Sequence, residues 1–223
     1  MVKLNAVRDD IKKLSNSVEL MAVSKTHPYS AILECYELGQ RLFGENRVQE
    51  VEEKFPKKEE RPQDMYLALI GHLQSNKVKK AVALVDRIDS VDSIKLLLLI
   101  NKECEKLNKV IDILFEVNSS GEEQKSGFTS KEELFEAVKL LKDLKFVHLR
   151  GIMTVGPLGD DIEKNIKAFK YTKNIFDEIK SSYISDIDIL SMGMSGDYKE
   201  AIECGSNLVR IGTAIFGQRD YNV

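Results

Sequence analysis

Short continuous apolar blocks alternate along this chain with longer stretches in which apolar residues return at helical spacing. Blocks bounded by polar turn residues read as buried strands, and the periodic stretches as helices with one apolar face. An opening helix at Leu4–Leu14 leads to a strand at 18–23. Pro28 stands where a first helical turn tolerates it, and the period continues over 30–38 until Gly39, a residue suited to the left-handed position after a helix. The same unit then repeats: strand 41–43 with helix 47–54, strand 65–70 with helix 75–84, and strand 87–90 with helix 93–107. Further on, strand 110–117 runs into a loop through Gly121 and Gly127, and Ser130-Lys131-Glu132-Glu133 opens the next helix as a capping box. Strand 147–153 precedes a long helix at 162–180, strand 187–191 a short helix from Asp197, and strand 208–211 ends the series.

Strict alternation of strands and helices favours a parallel sheet, and eight such units favour a closed (β/α)8 TIM barrel of the α/β class over an open doubly wound sheet. No G-x-G-x-x-G follows the first strand, so the signature of the dinucleotide-binding alternative is missing. The charged stretch Lys57-Lys58-Glu59-Glu60-Arg61-Pro62 reads as a solvated connection, and a single domain is expected over 1–223.

Composition narrows the function. At 223 residues with 43% hydrophobic and 31% charged residues, the chain can bury one full barrel core. Its net charge of −3, without a basic stripe carrying aromatics, argues against a nucleic-acid partner. The tightest apolar block, Leu96-Leu97-Leu98-Leu99-Ile100, is too short to cross a bilayer, and the N-terminus has no signal-peptide core. No membrane partner and a cytoplasmic location are therefore expected. Cys35, Cys104 and Cys204 are odd in number and far apart, which fits a reducing compartment and a packing role. His27, His72 and His148 lack ligand spacing, so no metal site is expected.

The chemistry gathers at strand ends. Ser191-Met192-Gly193-Met194-Ser195-Gly196 and Ile211-Gly212-Thr213-Ala214 follow the last two strands, where barrels often hold phosphate on backbone N–H groups and helix N-termini. Lys25 lies at the end of the first strand, on the same expected rim; a partly desolvated amine there can react with a carbonyl. A lysine beside a phosphate pocket suggests pyridoxal 5′-phosphate (PLP). Arg210, just before Gly212, is the second charge expected to point into the mouth, and Asn46 and His72 should reach the rim after strands two and three.

Ala22-Val23-Ser24-Lys25-Thr26, Gly44-Glu45-Asn46-Arg47-Val48-Gln49-Glu50, Ile70-Gly71-His72-Leu73-Gln74-Ser75-Asn76-Lys77, Leu190 to Asp197 and Val209 to Gly217 together resemble the motifs of the pyridoxal phosphate homeostasis protein family. That family is similar to the N-terminal barrel of alanine racemase, and the resemblance runs over about 20–218. It implies PLP held as an imine on Lys25, its phosphate on Ser191, Gly193, Ser195, Gly212 and Thr213, Arg210 at the pyridine nitrogen and Asn46 near the ring. His27 stands where the family usually has a second lysine, and Leu67-Ala68-Leu69 where it has an aromatic-histidine pair.

An arginine at the ring nitrogen leaves that nitrogen unprotonated and the electron sink weak. The chain also stops at Val223, so a second base from a C-terminal domain is not expected. Both point to a non-catalytic carrier that maintains intracellular PLP, with no catalytic residue, PLP-dependent apo-enzymes as recipients, and a monomeric state. A small amino-acid racemase is the alternative. Lys125, in the loop between Gly121 and Gly127, is a candidate second amine on the rim.

Overall fold

The computed structural model describes residues 2–122, 124–159 and 161–218. The ends of the domain expected over 1–223 lie outside these residues. Eight parallel strands close in sequence order into a barrel: β1 (Glu19–Val23), β2 (Leu42–Glu45), β3 (Tyr66–Leu69), β4 (Arg87–Val91), β5 (Ile111–Glu116), β6 (Val147–Met153), β7 (Ile189–Ser191) and β8 (Leu208–Ile211). The TIM barrel expected from the alternation of strands and helices is present. Outside it lie α1 (Leu4–Leu14), α2 (Tyr29–Glu37), α3 (Val48–Lys54), α4 (Val78–Leu84), α5 (Ile94–Lys106), α6 (Lys131–Leu140) and α7 (Ile162–Ser182). The short helices α8 (Tyr198–Glu203) and α9 (Thr213–Phe216) follow the last two strands.

The hydrophobic pattern sorts into two clusters. Phe43, Leu67, Ile88, Phe115, Leu149 and Ile211 point outward and pack with the buried faces of the helices. Met21, Leu42, Ala68, Leu114, Met153, Ile189 and Leu208 fill the barrel interior. Strand side chains alternate between faces, so every strand except β4 contributes to both clusters, and β4 adds Ile88 and Val91 to the outer cluster alone. The interior is not wholly apolar: Arg87, Asp89 and Arg210 are buried in it, and Arg87 holds Asp89 through two hydrogen bonds of 2.5 and 3.0 Å.

Local signals behave as their chemistry dictates. Ser130 caps α6 by accepting from the Glu133 amide at 3.2 Å, and Gly39 follows α2 at φ 85°. Pro28 differs slightly from expectation. Its extended ψ of 160° makes it the N-cap of α2, and the first helical residue is Tyr29. The connection at 57–62 is more than a solvated link. Arg61 is buried and donates to the Pro56 and Leu84 carbonyls at 2.9 and 2.7 Å, tying the loop to the end of α4.

Candidate functional site

The C-terminal end of β1 turns sharply at Ser24-Lys25-Thr26. Ser24 is buried, and its hydroxyl donates to Glu45 Oε1 at the end of β2 at 2.6 Å. Lys25 is half-buried, and Thr26 follows it in the left-handed region at φ 66°. A β-branched residue there is a rare, strained conformation. The residue next along, His27, stacks on Phe216 of α9 with ring centroids 5.0 Å apart, joining the β1 turn to the end of β8.

Two loops complete the rim beside that turn. After β7, Gly193 adopts φ 92°, and a side chain there would sit 2.6 Å from the Ala201 Cβ and 2.8 Å from the Tyr198 Cα, so only glycine lets the loop lie against α8. The loop is pinned by its Met194 amide, which donates to Asp197 Oδ1 at 2.6 Å. After β8, a Cβ on Gly212 would stand 3.0 Å from the Val23 carbonyl oxygen, so glycine keeps β8 close to β1. Between these segments lies a solvent-open cavity of about 170 Å³, walled by Val23, Lys25, His27, Met194, Ser195, Gly196, Arg210, Gly212 and Thr213.

Arg210 forms the floor. Its guanidinium is buried and donates to Ser191 Oγ at 2.6 Å and to the Thr154 carbonyl at 2.7 Å. Burial pushes its pKa down, while Asp89, Asp197 and Glu116 oppose that shift. The cavity therefore offers two cationic side chains, two hydroxyls and glycine backbone on one rim. That set suits an anionic ligand carrying a reactive carbonyl.

The family model for the N-terminal domain of alanine racemase matches residues 2–220. A pyridoxal phosphate homeostasis protein of Vibrio alginolyticus is 41% identical over 208 residues, spanning 92% of this chain and 88% of that one. The chain belongs to the pyridoxal phosphate homeostasis protein family. A homeostasis protein of Schizosaccharomyces pombe is 38% identical over 224 residues, 97% of this chain and 91% of its own. PipY of Synechococcus elongatus, solved with PLP bound, superposes with TM-score 0.85 at 34% identity, covering 96% of this chain and 99% of PipY. An alanine racemase from Clostridium difficile shares the fold, with TM-score 0.72 at 17% identity over 98% of this chain and 57% of the racemase.

Set against the motifs of the homeostasis family, the sequence-predicted residues divide into two groups. Lys25, Ser195, Arg210, Gly212 and Thr213 share the cavity wall. Ser191, Gly193 and Asn46 stand outside it. The Ser191 hydroxyl is buried and accepts from Arg210 at 2.6 Å, which ties it to the arginine that faces the cavity. Gly193 shapes the loop, and Asn46 has a buried Oδ1 without a hydrogen-bond partner beside β2. His72 sits on the rim with Nδ1 3.1 Å from Asp92 Oδ2. Lys125 donates to the Gly156 carbonyl at 2.7 Å and lies 3.3 Å from Glu122 Oε1, tying its loop to the end of β6. The helices after β7 and β8 span only six and four residues. Among the described residues no group of His, Cys, Asp and Glu is arranged to hold a metal, and no helix is long and apolar enough to cross a membrane.

Sequence reasoning missed three residues under the Lys25 turn. Lys54 of α3 donates to the Ser24 carbonyl at 2.8 Å and pairs with Glu45 at 2.5 Å. Glu50 accepts from the Thr26 amide at 2.9 Å. Their available signal was spacing: Glu50 and Lys54 are i and i+4 on a helix that follows β2 directly.

Proposed function

We propose that this chain binds pyridoxal 5′-phosphate, with Lys25 as the point of covalent attachment, and serves PLP homeostasis as a carrier rather than as a catalyst. The observation that carries the reading is the cavity that joins Lys25 of β1 to Ser195, Gly212, Thr213 and Arg210 of the last two units. The names of the relatives and the PLP-bound state of PipY support it.

The residues fit that group. Ser195 and Thr213 hydroxyls and the backbone at Gly196 and Gly212 supply donors for a phosphate; at Gly196 the space a Cβ would take is open within 4 Å. When bound, PLP supplies an aldehyde for reversible attachment of amines and a ring that can accept electrons. Arg210, held by Ser191 and Thr154, faces the cavity as a permanent cation, and an arginine does not supply the transferable proton that strengthens such a ring. Asn46, with its unpartnered Oδ1, is assigned to the ring edge; Ser191 and Gly193 act behind the wall by fixing Arg210 and the loop.

Borohydride reduction of the PLP-treated protein followed by peptide mapping tests the reading. The label is expected on Lys25, and Lys25→Ala should abolish the absorbance of attached cofactor. Labelling chiefly on another lysine overturns the assignment.

A further inference from the structure

The turn that carries Lys25 is held from both sides by one face of α3. The peptide before Lys25 offers its carbonyl, Ser24 O, to Lys54 Nζ at 2.8 Å, and the peptide after it offers its amide, Thr26 N–H, to Glu50 Oε2 at 2.9 Å. Lys54 and Glu50 are 3.9 Å apart. Beneath them buried Glu45 accepts from the Ser24 hydroxyl at 2.6 Å and pairs with Lys54 at 2.5 Å on the same oxygen, while its Oε2 has no hydrogen-bond partner. Thr26 is held at φ 66°, a conformation that persists only where surrounding bonds over-determine it.

We infer that Glu50, Lys54 and Glu45 are positioning residues for the Lys25 amine, clamping the strained turn so that the side chain is delivered to the cavity. The inference rests on Lys25 being the attachment point. It adds that a helix outside the cavity wall sets how readily that amine is used. Phosphate contacts come from β7 and β8 loops, so the clamp should govern attachment without governing phosphate recognition.

Two ligands separate these functions: PLP, and pyridoxine 5′-phosphate, which has the same ring and phosphate without an aldehyde. Lys54→Met alone would strand the Glu45 charge in the interior, so the test uses Glu50→Ala and the paired change Glu45→Gln with Lys54→Met. Each should weaken PLP binding by about tenfold, the scale of one lost charge-assisted bond, and lower the borohydride-trapped fraction on Lys25. Pyridoxine 5′-phosphate affinity should stay at the parent value, and Lys54→Arg should retain PLP binding. Unchanged PLP affinity and labelling in both variants overturns the inference. Equal loss of both ligands does so too, since it marks general damage to the barrel. Parent protein that labels elsewhere than Lys25 refutes the attachment reading instead.

Discussion

Arg210 Nη1 donates to the Ser191 hydroxyl at 2.6 Å across the seam where β8 meets β7. A buried guanidinium costs stability unless its donors are satisfied, and here Ser191 and the Thr154 carbonyl satisfy two of them. Ser191→Ala should therefore destabilise the fold by about 1.5–3 kcal/mol, the range for hydrogen bonds to charged groups. Urea unfolding of Ser191→Ala, Arg210→Met and the double variant checks it. Additive effects would show that the pair is not coupled.

Much of the fold was legible because the helices and strands carry distinct periods. The Ser130 cap and the Gly39 terminator were readable from single residues, and the rim of Lys25, Ser195, Arg210, Gly212 and Thr213 from their places at strand ends. The Arg210 partnership of Ser191 was not legible for a physical reason. Ser191 looks like its neighbour Ser195 in the sequence, but as the last residue of β7 it points to Arg210, while Ser195 lies on the loop that follows and lines the cavity. The clamp under Lys25 left only the i, i+4 spacing of Glu50 and Lys54 as a signal, since Glu45, Glu50 and Lys54 resemble surface charges until α3 folds back over the end of β1. Arg61 escaped notice likewise, its charged neighbours masking a side chain that turns inward.

The hydroxyls of Ser195 and Thr213 on the cavity wall are the proposed phosphate donors. Ser195→Ala and Thr213→Ala should each weaken pyridoxine 5′-phosphate by about tenfold for a lost bond of this type. Gly212→Val should be worse, since even its Cβ would lie 3.0 Å from the Val23 carbonyl oxygen. Calorimetry on the three variants measures this. Parent affinity in all of them would place the phosphate elsewhere.

Lys109 gives stability a distinctive pH response. Its ammonium donates to the Val82 and Val85 carbonyls at 2.7 and 2.9 Å, closing the end of α4, and burial pulls its pKa from 10.5 to about 8. Between these values the unfolded chain binds more protons at this site than the folded one, so its contribution to stability rises with pH across that window. The burial penalty on the charged amine is present below about 8 and relieved above it. Cys35 and Cys104, whose thiols burial pushes up to about 11 from 9.0, act in the opposite sense: their contribution is lost as pH rises from 9.0 through about 11. Lys109→Arg isolates the lysine because arginine stays charged. The parent's urea midpoint should gain on that of Lys109→Arg between pH 8 and 10.5; a constant difference would refute the shift.

Thiol chemistry should follow burial. Cys35 and Cys104 are fully buried with pKa values pushed up to about 11, and Cys204 is only partly covered. The thiolate is the reactive form, so a thiol reagent applied to the folded protein should modify Cys204 first. Peptide mapping at partial modification reads the order, and early labelling of Cys35 or Cys104 would contradict the burial.

The carrier reading makes its sharpest demand on amino acids. Arg210 is a buried cation fixed by Ser191 and Thr154, so the cavity floor presents charge without a proton to give. Removal of an α-hydrogen leaves negative charge that an acid at the ring nitrogen would help to absorb, and arginine does not fill that role. Incubation of the PLP-loaded protein with alanine in deuterated water should therefore leave the α-position unexchanged and the stereochemistry intact, while free amine competes with Lys25 and releases cofactor into solution. Proton NMR follows the α-hydrogen and absorbance follows release. Arg210→Asp tests the cause, because an acid in that position should raise exchange if the variant still binds pyridoxine 5′-phosphate. Rapid exchange by the parent protein would replace the carrier with a racemase, and release without exchange is the outcome the geometry of Arg210 predicts.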